Sequence, residues 1–137
     1  IGGEVVTKGK SPKTGQDWKI AIEDPLQKVD RKFLQTLTLN NEALASSGNY
    51  RKYRIDTITN ERFVHSINPL TGSAKKTKIL SASVKAPDCI TADAWATALL
   101  VMSLEKGKIL IDSDPELEAL WTLAKHDKFL VIESKNW

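Results

Sequence analysis

The chain has 137 residues, of which 41% are hydrophobic, so it is long enough and apolar enough to form one domain with a buried core. Its 20 Lys and Arg residues exceed its 17 Asp and Glu residues by only three charges, and the two signs are interspersed, which argues against a dedicated nucleic-acid binder. The single cysteine, Cys89, excludes an internal disulfide and a cysteine-based zinc site, and no apolar run in the sequence is long enough for a transmembrane helix.

Alternating apolar and polar side chains dominate the first two thirds of the sequence and predict β-strands. These strands are expected within residues 1–9, 17–24, 33–39, 53–67 and 78–86. The first two are expected to form a hairpin around a turn at 10–16, and the fourth segment contains two strands around a polar turn at 59–61. A tight loop at 68–73 follows, marked by Pro69 and Gly72.

The last third of the sequence changes character. Residues 91–104 are rich in Ala and Leu without Gly or Pro, and they predict a helix with Thr91 as its N-cap. A second short helix is predicted over 106–111, the segment 116–127 fits a helix or a strand, and 129–134 predicts a closing strand. The sum is an α+β fold, a mostly antiparallel sheet with inserted helices.

Asp93 and Thr97 are four residues apart in the predicted helix and therefore project from the same face. A carboxylate and a hydroxyl among alanines suit a hard cation such as Mg²⁺, which takes one or two protein carboxylates and completes its shell with water and phosphate. The alternative is that Asp93 lies in the first helical turn, where it favours the helix dipole, and that Thr97 merely packs.

His65 ends a predicted strand directly before the Pro/Gly loop, a position from which an imidazole could serve as a general base beside a pocket. A purely structural role is the alternative for such a histidine. The other histidine, His126, is predicted to lie in a solvated polar turn. The segment SSGNY at 46–50 suits a close backbone approach to a ligand, and it suits an ordinary tight turn equally well.

Several short motifs follow one another in a fixed order: GGE at 2–4, SSGNY at 46–50, HSINPLTG at 65–72 and DAWAT at 93–97. This series resembles the C-terminal half of the ApbE family, the FAD:protein FMN transferases, with its patterns S-G-x-Y, H-x-I-D-P-x-T-G and D-A-x-x-T. The resemblance implies that residues 1–137 form a single domain, the C-terminal half of an ApbE-type, T-fold-like domain whose N-terminal half is absent from this chain.

The resemblance also implies a chemistry. Members of the family bind FAD and Mg²⁺, cleave the pyrophosphate of FAD, pass FMN to a Thr or Ser hydroxyl of a target protein and release AMP. By position, Asp93 and Thr97 match the metal-binding aspartate and threonine of the family, and His65 matches its proposed catalytic base. Flavin contacts are implied at three further positions, Ile67, Ser47 and Gly48.

The sequence departs from the family in three ways. Ala96 stands where some members carry a polar residue beside the metal, so we expect a site with one ligand fewer and more water. Asn68 stands where the family usually has an aspartate, and we expect it to close the same Asx turn before Pro69. The N-terminal half of the family's domain, with most of its flavin contacts, is missing. Because the chain begins with Ile1 rather than Met, we expect a processed product or a fragment of a longer chain. Because only part of the cleft is present, we expect the chain by itself not to bind FAD tightly. Either a second chain supplies the other half, or this chain is a fragment.

Three other functions are compatible with some of these residues. The first is an Mg²⁺-dependent FAD pyrophosphatase that gives FMN and AMP, with water as the acceptor. The second is a non-catalytic flavin-binding domain, and the third is a small RNA-binding module, which the scattered charge disfavours. The family resemblance further implies a location in the periplasm or on the outer face of the bacterial cytoplasmic membrane, with a lipid anchor in the full-length protein.

Overall fold

The computed structural model of the protein describes residues 4–26, 32–49, 53–55, 57–58, 62–72, 74, 78–125 and 128–137. The predicted α+β class is confirmed. The strands among these residues are β1 (Val5–Val6), β2 (Trp18–Glu23), β3 (Phe33–Leu39), β4 (Ala43–Gly48), β5 (Tyr53–Ile55), β6 (Arg62–Val64), β7 (Ile79–Ala86), β8 (Glu118–Lys125) and β9 (Lys128–Glu133). The helices are α1 (Cys89–Val101) and α2 (Leu104–Asp112), and α2 confirms the second helix predicted over 106–111.

Five strands form one antiparallel sheet in the order β1-β4-β7-β8-β9. Both faces of its central strand β7 are buried, because neighbouring residues such as Ala82 and Ser83 are each fully covered. The sequence predicts that only the alternate set of β7 residues that contains Ala82 faces a core. That face is buried, but the opposite face, which contains Ser83, is buried as well. On the far face of the sheet, Leu44 packs with Ile22 and Leu39 of the β2–β3 hairpin.

The predicted hairpin between segments 1–9 and 17–24 is wrong. The described strand in the first segment, β1, pairs with β4, whereas β2 pairs with β3. β1 is two residues long and β3 offers a partner to each of the six residues of β2, so the longer ladder satisfies more backbone groups. A second hairpin joins β5 and β6 as predicted, but its turn at 59–61 lies outside the described residues.

The segment 116–127 forms strand β8, which lies between β7 and β9 in the sheet. Leu120 and Trp121 point to opposite faces and are both buried, which is why the apolar pattern alone fits a helix as well as a strand. The closing strand predicted at 129–134 is confirmed as β9. Neither helix in the described part of the chain has the length and apolarity needed to cross a membrane.

Helix α1 packs against β4 and β7 through small side chains. Ala92 and Ala96 of the helix are fully buried, and so are Ala43, Ala45 and Ala82 in the strands beneath. Alanines on both sides of this contact allow the helix to lie close to the sheet with few voids. The opposite side of α1 consequently faces away from the core.

Helix α1 begins two residues before the predicted N-cap. Its N-cap is Asp88, and the prediction of Thr91 in that role is wrong. The Asp88 carboxylate accepts hydrogen bonds from the Thr91 backbone N–H (2.8 Å) and from the Thr91 hydroxyl (3.0 Å). Because these bonds favour the charged form, they lower the pKa of Asp88 from its ordinary value of 3.8.

Replacing Asp88 with alanine is expected to lower the thermal unfolding midpoint at neutral pH, because α1 loses its cap. The pKa of Asp88 is lower in the folded state, so its contribution to stability is present above pH 3.8 and is lost as the pH falls below that value. Scanning calorimetry at several pH values should therefore show that the unfolding midpoints of the wild type and of Asp88→Ala become equal at acidic pH. Thr91→Val, which keeps the backbone bond, is the milder control; a midpoint difference that does not change with pH would contradict the assignment.

Candidate functional site

Asp93 and Thr97 lie one turn apart on a flank of α1, beside its buried face, and both residues are exposed. Ala92 and Ala96, each directly before one of them in sequence, are fully buried, so the helical repeat places the two oxygen-bearing groups at the edge of the face that packs on the sheet. The alternative account of Asp93 as a charge in the first turn is wrong, because α1 begins at Cys89 and its first turn contains no acidic residue.

Ser47 joins this side of α1 to the sheet. Its Oγ lies 3.1 Å from Thr97 Oγ1, a hydroxyl–hydroxyl hydrogen bond between β4 and the helix. Side chains alternate along a strand, so Ser47 continues the helix-facing row that contains Ala45. Residues 46–48 of the segment 46–50 complete β4 and do not form a tight turn, whereas Tyr50 lies outside the described residues.

His65 directly follows β6 and is exposed. The next residue, Ser66, donates a hydrogen bond from its Oγ to Asn49 Oδ1 at 3.4 Å, and Asn49 is only 3% exposed. Asn49 extends the pairing of β4, because its backbone N–H donates to the Leu80 carbonyl oxygen at 2.8 Å. The loop that carries His65 is thus held against the end of the strand that carries Ser47.

The chain turns sharply after Ile67. Asn68 Oδ1 accepts a hydrogen bond from the Leu70 N–H at 2.9 Å, and the Asn68 carbonyl oxygen accepts one from the Gly72 N–H at 2.9 Å. Gly72 has a φ of 67°, in the left-handed region that favours glycine. The Asx turn predicted for Asn68 is confirmed, and it leaves the side chain of Ile67 61% exposed at the start of the turn.

Two hydrogen bonds converge on the end of β4, one from α1 through Thr97 and one from the loop after β6 through Ser66. They bring Thr97 and the loop of His65 to the same strand end, and Asp93 lies one helical turn before Thr97. No group of three or more His, Cys, Asp or Glu side chains that could hold a metal occurs in the described part of the chain. A cation at this place would have Asp93 as its carboxylate ligand. The polar turn predicted at His126 lies outside the described residues.

Sequence reasoning missed Ser66 and did not single out Asn49 within the segment 46–50. The two residues are 17 positions apart and meet only through the fold. The contact between Ser47 and Thr97 spans 50 positions and could not be predicted from the sequence either. The one local signal was the row of small residues at the end of β4.

Comparison with known proteins identifies the family. The ApbE family model matches residues 1–121. The chain belongs to the ApbE family. It is 41% identical over 136 residues to an ApbE relative, the FAD:protein FMN transferase of Haemophilus influenzae, and this match covers 99% of the chain and 38% of that protein.

Solved ApbE structures share the fold. The flavin transferase ApbE from Vibrio cholerae matches with a TM-score of 0.78 and 31% identity, covering 98% of this chain and 41% of that one. The apo form of the flavinyl transferase ApbE from Pseudomonas stutzeri matches with a TM-score of 0.77 and 28% identity, covering 98% and 40%. The resemblance inferred from the motifs is confirmed, and the chain spans about 40% of the length of these ApbE relatives.

Proposed function

We propose that this chain is part of an FAD:protein FMN transferase that moves FMN from FAD to a Thr or Ser hydroxyl of a target protein and releases AMP. Its family and the activity named for its relatives support the proposal. The observation that carries it is the exposed pair of Asp93 and Thr97 on α1, with Ser47 bonded to Thr97, in a chain of this family. Since the chain spans about 40% of its relatives, the activity is proposed for the full-length protein.

The oxygen atoms on this side of α1 fit a magnesium ion. A carboxylate and a hydroxyl are hard ligands, and Mg²⁺ needs few of them because water and substrate phosphate complete its shell. Asp93 and Thr97 would hold the ion, and their exposure leaves room for its remaining ligands. When bound, the ion would neutralise negative charge on the pyrophosphate of FAD and on the departing AMP.

His65 is the residue proposed to accept the proton of the attacking hydroxyl. An imidazole accepts a proton near neutral pH, and this one is exposed at the end of β6, where a side chain of another protein has access to it. The hydrogen bond between Ser66 and Asn49 restrains the loop beside it. This restraint reduces the freedom that the imidazole must lose when the acceptor hydroxyl arrives.

Three further residues are proposed to contact the flavin. Ile67, with 61% of its surface exposed, offers an aliphatic side chain to the flat face of a ring. Gly48, at the end of β4, has no side chain and permits close approach of a ligand to the backbone. Ser47 would line the same cleft through its contact with α1.

The proposed activity is tested by mixing the full-length protein with FAD, Mg²⁺ and a candidate target protein. We expect yellow fluorescence that stays with the target after denaturing electrophoresis, together with one AMP released for each FMN bound. One control is a target protein in which the acceptor Thr or Ser is replaced by alanine. A second control is a reaction in which a chelator removes Mg²⁺.

Two results would contradict the transferase proposal. Release of free FMN and AMP without labelling, for every target tried, would indicate a pyrophosphatase in which water is the acceptor. Binding of FAD without any turnover would indicate a non-catalytic flavin-binding domain. Quantifying AMP and free FMN in the same reaction separates these results from labelling.

A further inference from the structure

The hydrogen bond between Ser47 and Thr97 places a second hydroxyl directly behind a proposed metal ligand. Ser47 Oγ lies 3.1 Å from Thr97 Oγ1, and Ser47 is half-buried whereas Thr97 is exposed. The serine approaches from the sheet side of the helix, because it lies on the face of β4 that α1 covers. One direction around the Thr97 oxygen is therefore occupied by Ser47, while Thr97 as a whole is exposed.

We infer that Ser47 is a positioning residue that holds the Thr97 hydroxyl in the orientation required for binding a divalent cation, an inference that rests on the proposed function. A threonine hydroxyl has one proton and two lone pairs. When the oxygen turns a lone pair to a cation, its proton must point elsewhere and needs an acceptor. Ser47 Oγ is at hydrogen-bonding distance and supplies that acceptor.

Thr97 has a competing orientation that Ser47 disfavours. In a helix a threonine side chain divides between two rotamers, because its hydroxyl can bond back to the carbonyl oxygen three or four residues earlier. For Thr97 those carbonyls belong to Ala94 and Asp93. A hydroxyl that donates its proton to its own helix does not donate it to Ser47, so the Ser47 oxygen offers the Thr97 proton an alternative acceptor to those carbonyls.

The neighbouring serine provides a matched control. Ser46 precedes Ser47 in β4 but points to the opposite face, where its Oγ lies 2.7 Å from that of Ser83. Ser83 is fully buried, so Ser46→Ala disturbs the interior of the sheet at least as much as Ser47→Ala does. Only Ser47→Ala removes the acceptor for Thr97.

The test measures binding of Mn²⁺ alone to the full-length protein, followed by the electron paramagnetic resonance signal of the free ion. Ligand-orienting partners of a metal site typically contribute 10- to 100-fold in affinity, so Ser47→Ala is expected to raise the dissociation constant by about 10- to 100-fold. Ser47→Thr, which keeps a hydroxyl, is expected to restore most of the affinity, and Ser46→Ala is expected to leave it unchanged. Circular dichroism checks that each variant is folded.

A double-mutant cycle shows whether Ser47 acts through Thr97. In a Thr97→Val background, Ser47→Ala is expected to have no further effect on Mn²⁺ binding, because there is no hydroxyl left to orient. Equal effects of Ser47→Ala in both backgrounds would overturn the inference, as would wild-type affinity in Ser47→Ala or an equal loss in Ser46→Ala. Asp93→Asn distinguishes failure of the proposed metal site from failure of the role of Ser47. If Asp93→Asn and Ser47→Ala both keep wild-type Mn²⁺ affinity, the proposed metal site is wrong. If Asp93→Asn loses affinity and Ser47→Ala does not, only the role of Ser47 is wrong.

Discussion

Replacing Asp93 with alanine in the full-length protein is expected to lower Mg²⁺-dependent FMN transfer by at least about 100-fold. Asp93 is the carboxylate proposed for the cation, and the neutral hydroxyl of Thr97 cannot by itself compensate the charge of a divalent ion. The side chain is exposed and takes no part in the core, so the free energy of unfolding should change by no more than about 0.5 kcal/mol. Transfer rates measured over a range of Mg²⁺ concentrations give the result.

Glu105→Ala is the matched control for this experiment. Glu105 is an exposed carboxylate in the first turn of α2, so its removal changes the net charge by the same amount without altering the side of α1 that carries Thr97. We expect its transfer rate and Mg²⁺ dependence to equal those of the wild type. If Asp93→Ala behaves in the same way as Glu105→Ala, Asp93 is not a metal ligand.

The elements that could be predicted from the sequence are those whose signal is local. An Ala- and Leu-rich run without Gly or Pro predicts α1, and strict alternation predicts β2 and β7. The first residue of α1 was harder to predict, because Asp88 and Thr91 are both good cap residues and only the geometry selects between them. At the other end α1 stops at Val101, where Ser103 caps α2 by accepting a hydrogen bond from the Lys106 N–H.

Strand pairing depended on information that no short segment contains. The nearness of β1 and β2 in sequence favours a hairpin, yet β1 pairs with β4, so that Val5 lies opposite Leu44, 39 positions further along the chain. The choice is made by the apolar cluster of Ile22, Leu39 and Leu44, which brings the β2–β3 hairpin onto the far face of the sheet. Burial across the sheet outweighs local connection here.

The candidate site also combines features that are local in sequence with contacts that are not. Helical spacing predicts that Asp93 and Thr97 share a face, because that relation depends on four residues of one helix. The position of His65 after a strand and the turn at Asn68 are equally local. The contacts that bring Ser47 to Thr97 and the loop of His65 to β4 depend on how the sheet and α1 pack, so they emerge only from the structure.

His65→Asn is expected to lower the rate of FMN transfer by about 10²- to 10⁴-fold while FAD binding is retained. Asparagine keeps a polar side chain of similar size but cannot accept a proton from the attacking hydroxyl. His65 is exposed and lies outside the apolar cores, so its replacement should leave the fold intact. Flavin fluorescence measures FAD affinity, and covalent labelling of the target measures transfer.

Two comparisons separate a proton acceptor from a structural histidine. Added imidazole is expected to restore part of the transfer rate of His65→Asn, since a small base can enter the space vacated at an exposed site, whereas lost packing would not be restored in this way. His126→Asn, which replaces the only other histidine of the sequence, is expected to transfer FMN at the wild-type rate. A loss of FAD affinity in His65→Asn equal to its loss of rate would assign His65 to flavin binding instead, because a base that acts only on the acceptor hydroxyl leaves the affinity for FAD unchanged.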